Sequence, residues 1–188
     1  MRIPDFKETT ILSYKVLFSG TFETGKTTLL ERFIGNKSIE TISEVPRDLL
    51  LNNSKLKLQA NFQDMIFAEQ VKRESEAEKV GKPVIICDRD ILDIIAYSEV
   101  LKHKVKQEWV DHIKDRYDFV VLFGTTDIPH PLRKYDLEID VVEYRSNVDK
   151  KIRELITRYN LRFLEVRGSA DAREKIIRNH LIRHAGIH

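Results

Sequence analysis

A chain of 188 residues with 41% apolar side chains can bury one good core, which predicts a single domain over residues 1–188. Its 32 basic and 30 acidic residues leave a net charge of only +2, so no excess of positive charge selects nucleic acid or an anionic membrane surface as a partner. The single cysteine, Cys87, excludes an internal disulfide and a cysteine-based zinc site; with no signal-peptide core and no span-length apolar run, the expectation is a reduced, cytoplasmic protein without a membrane partner.

The first predicted element is the apolar strand Lys15-Val16-Leu17-Phe18-Ser19. It runs directly into Gly20-Thr21-Phe22-Glu23-Thr24-Gly25-Lys26-Thr27, the pattern G-x-x-x-x-G-K-S/T. Its four fixed positions would recur by accident in a chain of this length less than about 1% of the time. Gly20 and Gly25 allow a turn tight enough for successive N–H groups to point at a polyphosphate, and a helix opening at Lys26 adds the positive end of its dipole. The nucleotide site is therefore predicted from Gly20, Thr21, Glu23, Thr24, Gly25, Lys26, Thr27 and Thr28. Lys26 would reach the β- and γ-phosphates, and the Thr27 hydroxyl would hold Mg²⁺. The cofactors this implies are ATP or GTP, with Mg²⁺.

Beyond the first helix, Gly35-Asn36-Lys37 marks a turn, and Ser38 to Val45 reads as a second strand ending at Pro46. A short helical or irregular piece follows over 47–51. A helix is predicted over 60–80, its apolar side made by Phe62, Met65, Ile66 and Val71. Gln70 falls on or beside that side, where its amide needs a hydrogen-bond partner, a backbone group or a bound substrate. Val84-Ile85-Ile86-Cys87 is apolar enough for a central parallel strand, with Cys87 as a buried thiol. Asp88-Arg89-Asp90 follows it, and then a helix over 91–101 with Asp90 as N-cap. Residues 105–116 predict another helix, and Tyr117 to Gly124 a fourth strand. The segment 125–145, with prolines at 129 and 131, reads as a long loop or lid. A helix is expected to start at Ser146, followed by the fifth strand Arg162 to Val166, a turn at Gly168 and a last helix over 169–184. His180, His184 and His188 recur every four residues there and read as a solvated helix end more readily than as a metal site.

Strands alternating with helices imply a parallel sheet covered on both sides, with ligands at the carboxyl ends of the strands. The predicted class is an α/β phosphate-loop NTPase, a three-layer α/β/α sandwich with a five-stranded, mainly parallel sheet in the order 2-3-1-4-5. The carboxyl edge would then gather Glu44 and Arg47 after strand two, Asp88 and Arg89 after strand three, Thr125, Thr126 and Asp127 after strand four, and Gly168 and Ser169 after strand five. Asp88 fits a magnesium partner, and Glu44 could orient or deprotonate an attacking hydroxyl. Asp88 could instead merely cap the next turn, and Glu44 with Arg47 could be a surface ion pair. Arg133 is read either as a mobile cation over the transferring phosphoryl group or as a solvated loop residue, and His130 as an ordinary loop histidine. Asn36-Lys37 comes too early for a guanine-reading loop, and no D-x-x-G follows strand three. Both features speak against a regulatory GTPase.

The spacing of Gly20-x-x-x-x-Gly25-Lys26-Thr27, Glu44-Val45-Pro46-Arg47, Phe62-x-x-x-Ile66-x-x-x-Gln70, Asp88-Arg89-x-x-x-Asp93-x-x-Ala96-Tyr97 and Leu132-Arg133 resembles the AAA-like ATPase/kinase family typified by the ribosylnicotinamide kinase domain of NadR proteins. It is more distantly similar to deoxynucleoside and thymidylate kinases. The resemblance implies phosphates on Lys26 and Thr27, and magnesium or substrate hydroxyls on Asp88. It also implies phosphoryl charge on Arg89 and Arg133, and the acceptor on Glu44, Arg47 and Gln70; a pocket next to the phosphate loop, closed by Gln70 and Tyr97, would favour the kinase. His130-Pro131-Leu132 stands where that family often has Asp-Gly. The function implied is an ATP-dependent kinase acting on a hydroxyl of a nucleoside or ribosylnicotinamide-like metabolite. The alternatives are an NTP-hydrolysing switch or accessory protein, and a polynucleotide kinase. The basic cluster Lys102, Lys104 and Lys106 reads as a solvated junction, so a nucleic-acid partner is not favoured.

Overall fold

Five strands pair side by side, each parallel to its neighbours: β1 (Tyr14–Ser19), β2 (Ile39–Ile42), β3 (Val84–Asp88), β4 (Phe119–Phe123) and β5 (Phe163–Val166). Their order is β2-β3-β1-β4-β5, the expected one. This computed structural model describes residues 12–59, 61–114, 116–125 and 140–187. Parallel neighbours need crossovers, and the helices between the strands supply them: α1 (Lys26–Leu30), α2 (Val45–Asn52), α3 (Phe62–Val80), α4 (Ile91–Val100), α5 (Gln107–Lys114), α6 (Val141–Arg158) and α7 (Ala170–Ala185). Phe18 stands opposite Asp88 in the register, so the loops leaving β1 and β3 emerge next to each other.

Successive side chains of a strand point to opposite faces, and the core divides accordingly. Leu17, Ile85, Cys87, Val120 and Leu122 face one way and pack on Ile66, Ile91, Ile95, Trp109, Ile113, Val148, Ile152 and Leu155 of α3 to α6. Val16, Phe18, Ile86, Val121 and Phe123 face the other way, against Leu29, Leu30, Phe33, Ile177 and Leu181. Each of these fully buried side chains contributes about 1.5–3 kcal/mol by leaving water. Burial also pushes the Cys87 thiol well above the ordinary cysteine value, as expected of an inert core residue.

Several boundaries differ from expectation. The second strand stops at Ile42, and Val45 and Pro46 open α2 instead of ending the strand. A proline in the first turn has its φ already set for a helix and gives up no hydrogen bond there, so it starts the element rather than terminating one. The helix expected at Ser146 begins five residues earlier, because the Asp140 side chain accepts from the N–H groups of Val142 and Glu143 at 2.9 and 3.1 Å. Residues 141–145 of the expected lid are therefore helical, while 126–139 lie outside the described residues. The predicted helix over 105–116 is confined to Gln107–Lys114. At the C-terminus, His180 stacks on Phe119 with ring centroids 3.7 Å apart and shares a 3.1 Å hydrogen bond with the Tyr14 hydroxyl. Burial, helped by His184, lowers its pKa to about 4, so this ring is a neutral packing element. Among the described residues no group of three or more His, Cys, Asp or Glu could hold a metal ion, and no helix is long and apolar enough to cross a membrane.

Candidate active site

The loop after β1 is shaped by two glycines with positive φ. Gly20 has φ +143°, and a Cβ there would stand 2.7 Å from the carbonyl oxygen of Phe123. Only glycine lets β1 leave the sheet this close to the end of β4. Gly25, at φ +83°, turns the chain into α1. Within the loop the Thr24 hydroxyl donates to the Thr21 carbonyl at 3.0 Å. The Lys26 ammonium is buried and folds back over the same loop, donating to the carbonyls of Gly20 and Thr21, both at 2.7 Å, and to Thr24 Oγ1 at 3.2 Å. Burial lowers its pKa to about 8, assisted by the positive charge of Arg89, while Asp93, Asp88 and Glu44 partly offset the effect. Of the residues expected to converge from β2 and β3, Glu44, Asp88 and Arg89 are thus within electrostatic reach of Lys26.

Asp88, fully buried at the end of β3, accepts a 2.5 Å hydrogen bond from the Thr27 hydroxyl through Oδ2, and its Oδ1 has no partner. Burial raises its pKa, against the opposing pull of Lys26. A hydroxyl and a carboxylate with one unmatched oxygen form a hard oxygen pair of the kind magnesium prefers. Two protein ligands alone would leave the rest of the octahedron to phosphate oxygens and water, so the residues fit Mg²⁺ arriving with a nucleotide. Asp93, on the first turn of α4, is also buried and accepts from the Gly20 N–H at 3.3 Å. Burial pushes its pKa up to about 6.

Arg89 has φ +62°, a left-handed conformation that costs a non-glycine residue of order 1 kcal/mol and is retained only where surroundings impose it. Its guanidinium lies 3.1 Å from Glu44 and over the Tyr97 ring, 5.4 Å from the centroid. On its other side opens a pocket of about 220 Å³, walled by Phe62, Ile66, Ile94 and Tyr97 and reached by Gln70, Arg89, Asp90 and Asp93. Gln70 is buried, as its place on α3 predicted, and its partner is a side chain: Nε2 donates to Glu74 at 3.0 Å. Glu74 is itself fully buried and accepts from the Tyr117 hydroxyl at 2.6 Å and from Arg116 Nε. Tyr144 of α6 joins the two halves of the site. Its ring centroid is 6.3 Å from that of Phe22 in the phosphate loop and 6.1 Å from that of Tyr97.

Most of the expected site residues are brought together. Gln70, Arg89 and Tyr97 line the pocket, Glu44 pairs with Arg89, Thr27 with Asp88, and Lys26 lies within electrostatic reach of Glu44, Asp88 and Arg89. Arg47 is exposed on α2, 3.7 Å from Glu44, and is not part of the pocket wall. Thr28 and Gly168 are exposed, and the Ser169 hydroxyl is engaged as the N-cap of α7, accepting from the Ala172 N–H at 3.2 Å. Arg133, His130, Thr126 and Asp127 lie outside the described residues. Asp90 occupies the N-cap position of α4, as expected, without a side-chain cap hydrogen bond, and it also lines the pocket. Sequence reasoning missed Glu74 and Arg173 altogether, and missed Asp93 as a site residue. Arg173 is buried and donates to the Thr24 carbonyl at 2.7 Å, fastening α7 to the phosphate loop. A signal for two of them existed: Glu74 lies four residues after Gln70, and Arg173 four before the buried Ile177, each on an otherwise apolar stripe.

Compared with known proteins, residues 15–173 match the family model described as AAA domain. The chain belongs to this AAA domain family. No curated protein matches it by sequence. Among solved structures, the AAA domain chain is similar to deoxyadenosine kinase from M. mycoides, with a TM-score of 0.66 at 20% identity over 90% of this chain and 99% of that one. It is also similar to NadR protein in complex with NR, with a TM-score of 0.68 at 15% identity, covering 94% of this chain and 50% of the NadR chain. A third, thymidylate kinase from Ehrlichia chaffeensis, has a TM-score of 0.54 at 16% identity, over 91% and 97% of the two chains. At these identities the likeness shows the α/β phosphate-loop fold.

Proposed function

We propose that this protein is an ATP-dependent phosphotransferase that moves the γ-phosphoryl group to a hydroxyl of a nucleoside or ribosylnicotinamide-like metabolite. The observation that carries the reading is the pocket of about 220 Å³ beside the phosphate loop, tied to it by the lining residue Asp93, which accepts from the Gly20 N–H. A protein that only hydrolyses nucleotide has no need for a second, largely apolar chamber at that point.

In this reading the loop N–H groups and Lys26 hold the triphosphate, and Lys26 exchanges its carbonyl partners for phosphate oxygens. Thr27 and Asp88 would hold Mg²⁺, which would neutralise charge developing on the phosphates. Glu44, fixed by Arg89, accepts the proton of the acceptor hydroxyl as its oxygen bonds to the γ-phosphorus and the bond to the β-γ bridging oxygen breaks. Arg89, with Arg133 brought in from the segment after β4, balances the negative charge on the transferring group. Gln70 and Tyr97 hold the remainder of the acceptor.

The experiment is a thermal-shift screen of nucleosides and vitamin ribosides in the presence of AMP-PNP, followed by a phosphorylation assay with each stabilising compound. An acceptor at 100 times its Kd should add about 2.7 kcal/mol of stability. Lys26→Ala should abolish turnover while the melting temperature stays within a few degrees. Full activity in that variant, or ATP hydrolysis that no hydroxyl compound alters, would overturn the proposal.

A further inference from the structure

Two polar atoms in the pocket wall are buried and unpaired, and both belong to α4. Asp93 is 2% exposed: its Oδ1 accepts from the Gly20 N–H at 3.3 Å, and its Oδ2 has no hydrogen-bond partner. One helical turn later, the buried hydroxyl oxygen of Tyr97 has none either. The Ser19 hydroxyl neighbours Asp93 and the Thr21 hydroxyl neighbours Tyr97, yet neither closes a hydrogen bond. Both α4 residues line the pocket, and the bond to Gly20 places Asp93 at the end that adjoins the phosphate loop. Buried polar atoms are normally paired, so a concentration of unmatched ones calls for a ligand.

The two atoms need different partners. Burial pushes the Asp93 pKa up to about 6, with Lys26 and Arg89 opposing a further rise, so above pH 7 the group is a carboxylate that only accepts. Burial raises the Tyr97 pKa as well, against the charge of Arg89, so the phenol keeps its proton and can donate it. A carbonyl oxygen placed here would face the carboxylate acceptor to acceptor, and an NH₂ group would leave the phenol proton unused. An alcohol donates and accepts through one oxygen and matches both. Phe62, Ile66, Ile94 and Leu101 in the same pocket are apolar, which leaves the Asp93 end for the hydroxyl-bearing part of an acceptor.

Resting on the kinase reading above, we propose that Asp93 and Tyr97 bind a second alcohol of the acceptor, one that is not phosphorylated, which donates to Asp93 Oδ2 and accepts from the Tyr97 hydroxyl. The acceptor is then a polyol at its reacting end, and the alcohol is one of the two secondary hydroxyls of a riboside. Glu44 keeps the hydroxyl that takes the phosphoryl group, so Asp93 determines specificity and does not receive the proton of the transfer.

The test uses adenosine, guanosine, cytidine, uridine and nicotinamide riboside, each with its 2′-deoxy and 3′-deoxy analogue. ATP-dependent phosphorylation and thermal shift with AMP-PNP are measured on the full chain at pH 7.5. For at least one riboside, removal of one secondary hydroxyl should lower kcat/KM by about 10- to 100-fold, as expected for a lost hydrogen bond to a charged group. In Asp93→Ala the ratio between that riboside and its deoxy analogue should fall below about threefold, and in Tyr97→Phe it should fall by at least about half. The ratio is what is read, because loss of the Gly20 contact lowers turnover on every acceptor alike. Should Asp93→Ala melt low, Tyr97→Phe decides alone. Equal kcat/KM for the ribosides and both analogues, or an undiminished ratio in the deciding variant, overturns the second-alcohol assignment and leaves the kinase reading standing. Selective stabilisation by ribosides over their deoxy analogues without phosphoryl transfer supports the assignment and overturns the kinase reading. Neither stabilisation nor transfer with any of these compounds overturns both.

Discussion

Lys26 shows how much of the chemistry rests on one side chain. It is held by two carbonyls and a hydroxyl of its own loop, and a nucleotide must exchange those bonds for phosphate oxygens. At about 1 kcal/mol net per hydrogen bond, only a ligand with several anionic oxygens compensates fully. Its proton responds to the same exchange. The buried ammonium releases its proton near pH 8, against 10.5 for an ordinary lysine, so between these values the empty loop contains mostly neutral amine. Polyphosphate favours the charged form, so binding takes up a proton and affinity falls as pH rises through about 8. Calorimetric titration of ATP at pH 9 in two buffers of different ionisation enthalpy should show proton uptake approaching one, and none in Lys26→Ala. Equal heats in both buffers for the unmodified protein would refute this. Lys26, Thr27 and Asp88 were legible in the sequence because a motif and a strand end fix their positions. Glu74, Asp93 and Arg173 were not, because a charged residue on a helix reads as solvated unless its angular position on the buried stripe is counted, as was done for Gln70.

At the scale of elements, the boundaries depend on short-range contacts that compete within a few residues. Two start signals precede the Val148 to Tyr159 stripe: Ser146 with Asp149, and Asp140 with Glu143. The earlier one prevails because Asp140 caps two N–H groups at once, and the added turns place Tyr144 against Phe22 and Tyr97. Asp140→Ala should cost about 1 kcal/mol and raise amide exchange at Val142 and Glu143 while leaving the stripe beyond Val148 protected. Unchanged exchange at those two amides would mean that the cap does not set the boundary. The strands were read more securely than the helix ends. A run such as Val84 to Cys87, buried on both faces of a parallel sheet, is continuously apolar, whereas a helix end is decided by one or two polar atoms.

For the molecule as a whole, alternation and right-handed crossovers lead to a parallel sheet covered on both sides, while the order 2-3-1-4-5 was expected as part of the phosphate-loop class and is the one observed. The buried cluster around Glu74 could not be expected, since Gln70, Arg116 and Tyr117 meet only after α3 and the start of β4 are packed together. Glu74→Ala would leave the buried Gln70 amide and Tyr117 hydroxyl without their partner and loosen both elements, although Arg116 keeps Glu78 at 3.4 Å, and is expected to destabilise the fold by about 2–3 kcal/mol in urea denaturation. A loss below about 1 kcal/mol would show the cluster to be dispensable for folding. Tyr144 carries a different consequence. One ring leans on Phe22 in the nucleotide loop and on Tyr97 in the opposite chamber, so whichever compound arrives first alters the seat awaiting the second. Such a linkage is reciprocal by thermodynamic necessity. On the proposed kinase reading, nucleotide and acceptor should each change the other's affinity by the same factor, and Tyr144→Ala should make their binding independent when each is titrated with and without the other.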